Sequence, residues 1–125
     1  MQNSKSSSKN LIQDKSFQFA LHVLELYKQM RFQKEYIISA QLIRSGTSIG
    51  ANVEEATAAQ TKKDFIAKMS VASKEARETR YWLKLLSQSQ FFVYDYTKLM
   101  EECNELIRII TAIVKTAQTK GESEA

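Results

Sequence analysis

Hydrophobic residues recur every three or four positions in four separate segments of this chain. In the first segment these residues are Phe19, Val23, Leu26 and Met30. Such spacing places side chains on one face of an α-helix. The pattern predicts helices over about residues 12–32, 36–59, 62–88 and 96–118. Four helices joined by short links form an antiparallel up-and-down bundle, which is the all-α fold that we expect.

The ends of the chain and the starts of two helices carry their own signals. Residues 1–10 (MQNSKSSSKN) and 119–125 are polar, and we expect them to be disordered tails on either side of a bundle over 11–118. Thr61 and Asp64 have the spacing of a capping box, with Asp in place of Glu or Gln, and predict the start of the third helix. Asp95 is a candidate N-cap for the fourth helix.

The segment RSGTSIGANVEEA, residues 44–56, is unusual for a helix because it contains two glycines and three hydroxyl side chains. Helical spacing nevertheless continues through it, at Ile38, Leu42, Ser45, Ile49, Asn52 and Ala56. It therefore predicts a helix, whereas a phosphate-binding loop would require Gly-Lys-Ser/Thr after its glycine-rich turn. Each glycine costs a helix about 1 kcal/mol relative to alanine. We interpret Gly46 and Gly50, four positions apart, as a site of close helix packing within or between subunits; a ligand or backbone contact site is the alternative.

Two polar residues fall on the core-facing side of the second helix. Ser45 and Asn52 lie one heptad apart there. A buried asparagine is costly unless its amide finds a partner, and its best-attested use is to fix helix register. Glu75 and Glu78, which flank the core-facing side of the third helix, are the candidate partners. We interpret these four residues as a structural polar core, with an acid/base pair as the alternative.

The composition narrows the classes of protein. Proline is absent and glycine occurs three times, which favours a few long helices over a β-protein with frequent turns. One cysteine and one histidine cannot make an internal disulfide or a zinc site, and they predict a cytoplasmic protein without a metal or cofactor. No secretory signal or membrane-spanning segment is predicted. The net charge of +4 permits contact with nucleic acid without requiring it.

Several single residues could be read as functional. We interpret His22, beside the apolar face of the first helix, as a partly buried packing residue and Cys103 as a buried, inert thiol. Tyr81, Trp82 and the run Phe91–Tyr94 are interpreted as core or subunit-interface anchors, with base stacking as the alternative.

Charge is unevenly distributed along the chain. Residues 62–84 contain seven basic residues against three acidic ones, a net charge of +4 in one segment. The basic residues are Lys62, Lys63, Lys68, Lys74, Arg77, Arg80 and Lys84. Such a row of cations suits phosphate contacts of little sequence preference, and an ordinary solvated face is the alternative. Glu101, Glu102 and Glu105 make the fourth helix acidic, which also suits self-association of basic and acidic faces.

Two stretches resemble a known family. They are RSGTSIGANVEEA and KKDFIAKMSVASKEARETRYWLKLL, within a resemblance that covers about residues 17–117. The chain resembles the small four-helix-bundle proteins encoded in intervening sequences of bacterial 23S ribosomal RNA genes. The matching positions are Arg44, Ser45, Ser48, Ile49, Asn52, Glu54 and Glu55, then Asp64, Phe65, Lys68, Glu75, Ala76, Glu78, Thr79, Trp82 and Leu83. Where many members have Ala-Glu-Gly, this chain has Glu-Glu-Ala.

The resemblance implies a bundle that assembles as a ring, typically a homopentamer, with no established enzymatic activity. It also implies similarity of fold to the accessory variability protein of diversity-generating retroelements, a basic pentamer that binds nucleic acid and the reverse transcriptase. No defined set of binding residues comes with it. We therefore expect a non-enzymatic homo-oligomer that binds structured RNA, or DNA, without strong sequence specificity. The alternative hypothesis is a protein-interaction scaffold, for example for a reverse transcriptase.

Overall fold

The computed structural model describes the backbone of residues 8–124 and the side chains of residues 10–120. Its helices are α1 (Ser8–Phe32), α2 (Ile38–Thr57), α3 (Lys62–Ser89) and α4 (Thr97–Glu124). No strand occurs in the backbone so described. Each helix packs against the next and α1 packs against α4, so the four helices enclose one core. The expected all-α fold of four helices is confirmed.

Contacts between neighbouring helices show that they are antiparallel. Gln13, near the start of α1, lies within hydrogen-bonding distance of Glu54 and Thr57 near the end of α2. Val23, later in α1, faces Gly46, which is earlier in α2. The same reversal is seen between α2 and α3 and between α1 and α4. None of the helices, over the residues described, is long and apolar enough to cross a membrane.

The ends of the helices differ from the expected tails. Ser8–Asn10 begin α1, and α4 continues to Glu124, so helix replaces part of each expected tail. Residues 1–7 and 125 lie outside the described backbone. Both extensions are polar but contain no proline, so nothing removes a backbone donor from the helical hydrogen bonds. In the second extension the Thr119 hydroxyl donates to Lys115 O at 2.9 Å.

The core consists of the positions that helical spacing singles out. Fully buried side chains include Phe19, Val23, Leu26, Met30, Leu42, Ile49, Met69, Leu83, Leu106 and Ile110. Cys103 is buried among them, and its thiol donates to Ala76 O at 3.2 Å. Desolvation raises the pKa of this thiol to about 12, so the sulfur stays protonated at neutral pH.

Helix starts are fixed by side chains that satisfy free backbone N–H groups. The Thr61 hydroxyl accepts from Asp64 N at 3.0 Å at the start of α3, as the capping spacing predicted. Asp95 accepts from Thr97 N at 3.1 Å at the start of α4. The Glu35 carboxylate accepts from three successive N–H groups at the start of α2, at 3.0, 3.0 and 2.7 Å. This role of Glu35 is not evident from the sequence, which places it in a polar link.

The link between α1 and α2 reverses the chain through a left-handed residue. Lys34 has a φ of 66°. Its N–H donates to Arg31 O at 2.9 Å, and Glu35 N donates to Met30 O at 2.8 Å. These are the two hydrogen bonds of a Schellman motif, which ends a helix by satisfying its last carbonyl groups. The turn brings Glu35 to the start of α2.

The segment 44–56 lies entirely within α2, so its helical interpretation is confirmed. Gly46 faces α1 so closely that an added Cβ would lie 3.0 Å from Val23 Cγ1. A Cβ on Gly50 would lie 3.5 Å from Ser16 Oγ, which is an ordinary contact. Both glycines thus face α1, and only Gly46 is required for the close approach of the two helices.

Candidate nucleic-acid interface

Four basic side chains lie on the outer side of α3. They are Lys63, Lys74, Arg77 and Lys84, here called the cationic face, and all four are exposed. They share one side of the helix because the opposite side carries the buried Met69, Ala76 and Leu83. At 1.5 Å per residue the row extends about 32 Å along the helix axis.

The positive charge of this face is not neutralised within the chain. Over the part of the chain that the structure describes, no carboxylate forms an ion pair with any of the four side chains. Arg77 donates to Ser73 Oγ at 3.4 Å, a contact that leaves its charge uncompensated. The face therefore presents four cations that an anionic ligand could contact.

The other three predicted basic residues are placed differently. Lys68 pairs with Glu55 of α2 at 2.9 Å, and the hydrogen bond that it donates to that carboxylate raises the pKa of its ammonium. Arg80 turns toward α4 and donates to Asn104 Oδ1 at 3.1 Å. Lys62 lies at the rim of a groove beside α4. The seven predicted residues thus divide into four on the cationic face and three beside other elements.

The acids of α3 are directed toward α2, away from the cationic face. Arg44 of α2 donates from Nη1 to Glu75 Oε1 at 3.3 Å and from Nη2 to Glu78 Oε2. Trp82 Nε1 also donates to Glu78, at 3.0 Å. The hydrogen bond from Arg44, then that from Trp82, lowers the pKa of the Glu78 carboxyl. The same contact with Glu78 raises the pKa of Arg44.

The predicted pairing of Asn52 with Glu75 or Glu78 is wrong. Asn52 is half-buried, and its amide donates to Ser48 O at 2.8 Å within its own helix. A charged guanidinium is a stronger donor to a carboxylate than a neutral amide, so Arg44 takes both acids. Arg44 is the one basic residue within Ile38–Thr57, which is the signal that could have identified it.

A smaller polar contact does lie in the core between α2 and α3. Ser45 and Thr79 are both fully buried, and their hydroxyl oxygens are 2.9 Å apart. Thr79 Oγ1 also lies 2.8 Å from Glu75 O of its own helix. This contact satisfies the buried Ser45 hydroxyl between two apolar layers, a place where an unpaired hydroxyl would be costly.

The acidic half of α4 is partly neutralised by α1. Glu102 lies 2.8 Å from Nδ1 of the half-buried His22, and Glu105 pairs with Lys15 at 3.2 Å. Glu101 is exposed. The expected acidic face for self-association is thereby reduced, because two of its three carboxylates already contact side chains of α1.

Aromatic residues lie at the end of the cationic face that carries Arg77 and Lys84. Tyr81 is exposed on α3, and Trp82 is half-buried against the core. Their rings meet edge to face, with centroids 5.1 Å apart and planes at 72°. Phe92 of the following link is buried, whereas Phe91 and Val93 are exposed.

An apolar groove of about 950 Å³ lies where α3 begins and α4 ends. Leu11, Phe65, Ile109 and Ile113 form part of its wall, and Thr57 and Gln60 are among its polar lining. No group of three or more His, Cys, Asp or Glu side chains that could hold a metal is found among the residues described. The groove suits apolar side chains of a partner better than it suits an anion.

These features define a class: an antiparallel four-helix bundle with a row of unpaired cations along one outer helix. Residues 8–112 match the family described as 23S rRNA-intervening sequence protein. The chain belongs to this family, which confirms the resemblance found in its sequence.

A solved relative has the same fold. It is a protein of unknown function from the S23 ribosomal protein family of Bacteroides thetaiotaomicron, 41% identical to this chain. The match covers 87% of this chain and 99% of the relative, with a TM-score of 0.82. A search of curated proteins found no match.

Proposed function

We propose that this protein is a non-enzymatic, self-assembling bundle that binds structured RNA, or other nucleic acid, through the cationic face. The observation that carries the proposal is the row Lys63, Lys74, Arg77 and Lys84, which are exposed and have no acidic partner among the residues that the structure describes. The family's association with intervening sequences of 23S rRNA makes RNA the first ligand to test.

The chemistry of the face favours phosphate contact over base recognition. Lysine and arginine heads on the outside of one helix can each meet a backbone phosphate, and such contacts carry no sequence information. If all four make contact, binding by one subunit should weaken between 50 and 200 mM salt by about 50-fold for single strands and about 150-fold for B-form DNA. Little dependence on sequence is expected.

Self-assembly would strengthen a weak contact by repeating it. α1 carries a second apolar row on its outer side, at Phe17, Leu21, Leu24 and Phe32, all exposed in the single chain. Exposed apolar rows of this kind are typical of protein interfaces. We propose that this row contacts another copy, in the homopentamer that the family resemblance implies, so that several cationic faces act on one ligand.

The test removes the positive charges of the cationic face in one variant and the same number of positive charges elsewhere in a control variant. Replacing Lys63, Lys74, Arg77 and Lys84 by Gln should abolish most binding to fluorescein-labelled RNA, measured by anisotropy at about 50 mM salt. The control replaces Lys34, Lys98, Arg108 and Lys115 by Gln, the same residue types and also exposed. This control lowers the net charge equally and should retain binding.

Equal loss in both variants would mean that overall charge, not the cationic face, attracts the ligand. No binding by the native protein to RNA or duplex DNA at this salt would refute the proposal.

A scaffold for another protein, such as a reverse transcriptase, is the second candidate function. The apolar groove beside Phe65 and Ile113 favours it, because apolar walls suit a partner's hydrophobic side chains. A scaffold would tolerate the four Gln substitutions on α3 and lose its partner when Ile113 is replaced by Glu.

A further inference from the structure

We infer that Tyr81 is a stacking platform for an unpaired base, so that the preferred ligand is single-stranded or looped RNA rather than continuous duplex. This inference rests on the proposed function, because it specifies which form of nucleic acid the cationic face binds. It adds to that proposal a contact that charge alone does not provide.

Tyr81 lies within the cationic face itself. It follows Arg77 by four positions and precedes Lys84 by three, and residues so spaced are neighbours on one side of a helix. The residue is 58% exposed. The other exposed aromatic residues among those described lie on α1 or in the links after α1 and α3, away from the four cations: Phe17, Phe32, Tyr36 and Phe91.

The Tyr81 ring is held in position by the residues behind it. Its edge-to-face contact with Trp82 limits its orientation, and the 58% exposure shows that this contact leaves much of the residue open. Trp82 is itself fixed, because it packs against the core and donates from Nε1 to Glu78 Oε2 at 3.0 Å. Glu78 in turn accepts from Arg44 of α2. A ring positioned before binding loses little conformational freedom when a base stacks on it.

The position of the ring distinguishes between forms of nucleic acid. A ring on the convex surface of one helix can reach phosphates and sugars of a duplex, but the faces of paired bases are covered by their neighbours in the stack. An unpaired base can turn its face to the ring while the flanking phosphates meet Arg77 and Lys84. Stacking on aromatic side chains is tolerant of sequence, as are phosphate contacts by lysine and arginine.

The experiment compares an unstructured RNA strand with a blunt RNA duplex of the same length, each labelled with fluorescein, over a range of salt concentrations. Tyr81→Ala should weaken binding of the strand by about 5- to 150-fold. It should leave duplex binding within about twofold and the salt slope for the strand unchanged, since no phosphate contact is removed. Tyr81→Phe should bind the strand as the native protein does.

A matched control is Tyr36→Ala, which removes a tyrosine of similar exposure near the start of α2 and should bind both ligands normally. Trp82 is the one tryptophan of the chain, so its fluorescence provides a second readout next to the stacking site. The strand should change this fluorescence in the native protein and not in Tyr81→Ala.

The outcomes separate the two proposals. If the four Gln substitutions abolish binding but Tyr81→Ala has no effect, or weakens strand and duplex alike, the stacking inference is wrong and the cationic face stands. If Tyr81→Phe is as weak as Tyr81→Ala, the hydroxyl and not the ring makes the contact, which also overturns the inference. If the native protein binds neither RNA, the stacking inference is wrong, and the proposed function fails as well if duplex DNA does not bind either.

Discussion

At the scale of single residues, Arg44 organises the contact between α2 and α3. Its guanidinium donates hydrogen bonds to the carboxylates of Glu75 and Glu78, and Glu78 also accepts a hydrogen bond from Trp82. The effect on the cationic face is indirect: with Glu75 and Glu78 directed toward Arg44, neither acid turns outward to neutralise Arg77 or to repel a bound phosphate. A network between helices thus helps to keep the outer side of α3 positive.

The Arg44 network should make stability depend on pH on the acid side. The pKa of Glu78 is lowered in the folded state, so its contribution to the free energy of unfolding is present above the unfolded pKa of about 4.3 and is lost as the pH falls through the folded value. Arg44→Gln should reduce stability at pH 7 by about 1 kcal/mol or less, as befits a partly exposed pair. The difference from the native protein should shrink in urea titrations below about pH 4. A difference that is constant with pH would show that the pair has no electrostatic role.

At the scale of elements, the two glycines of α2 contribute differently to its packing against α1. Gly46 is required because Val23 lies against it, is fully buried, and has a branched side chain with little freedom to rotate. Gly50 has room for a methyl group. The spacing of four residues suggested that Gly46 and Gly50 share one role. The contacts show instead that only Gly46 lacks room for a side chain.

Alanine substitutions at the two glycines should have opposite effects. Gly50→Ala should raise the free energy of unfolding by up to about 1 kcal/mol, since alanine is the better helix former. Gly46→Ala should lower it by about 1 kcal/mol, because the clash outweighs the same gain. Thermal and urea unfolding measure both. In a Val23→Ala background the Gly46→Ala penalty should disappear; if it persists, α1 does not cause it.

At the scale of the whole molecule, one chain leaves apolar surface that a bundle of four helices does not use. Phe17, Leu21 and Leu24 of the outer row have the four- and three-residue spacing of a packed helix face, and Lys28 separates them from Phe32. Among the residues described, Phe17 and Phe32 are 62% and 88% exposed. The inner and outer rows together make α1 apolar on two sides. Such a helix suits a position between its own bundle and a second subunit.

The oligomer should dissociate when charge is introduced on the outer row of α1. Light scattering on the native protein should give a multiple of the 14.3 kDa of one chain, with five copies expected. Leu21→Glu with Leu24→Glu should reduce the mass to that of one chain and weaken RNA binding through lost avidity. The control for mass is Val71→Glu with Leu85→Glu on α3, positions of nearly the same exposure, which should leave the mass unchanged. RNA binding is not compared for this control, because both positions border the cationic face. A native protein that is already monomeric would contradict the prediction.

The sequence by itself determined the four helices, the helical course of 44–56 and the buried row in each helix. These follow from hydrogen bonds and side-chain spacing within a single segment, which is why Thr61 could be recognised as a cap and Cys103 as a buried thiol. Only the tertiary structure decided which charges remain free. Helical spacing places Lys74 on the outer side of α3 and Arg80 on its flank, but it does not show that Glu55 lies beside Lys68 or Asn104 beside Arg80. Nor does it show that, among the residues described, no carboxylate forms an ion pair with Lys74. Partners between helices depend on how each helix is rotated and shifted against its neighbour, and the period of one helix does not contain that information.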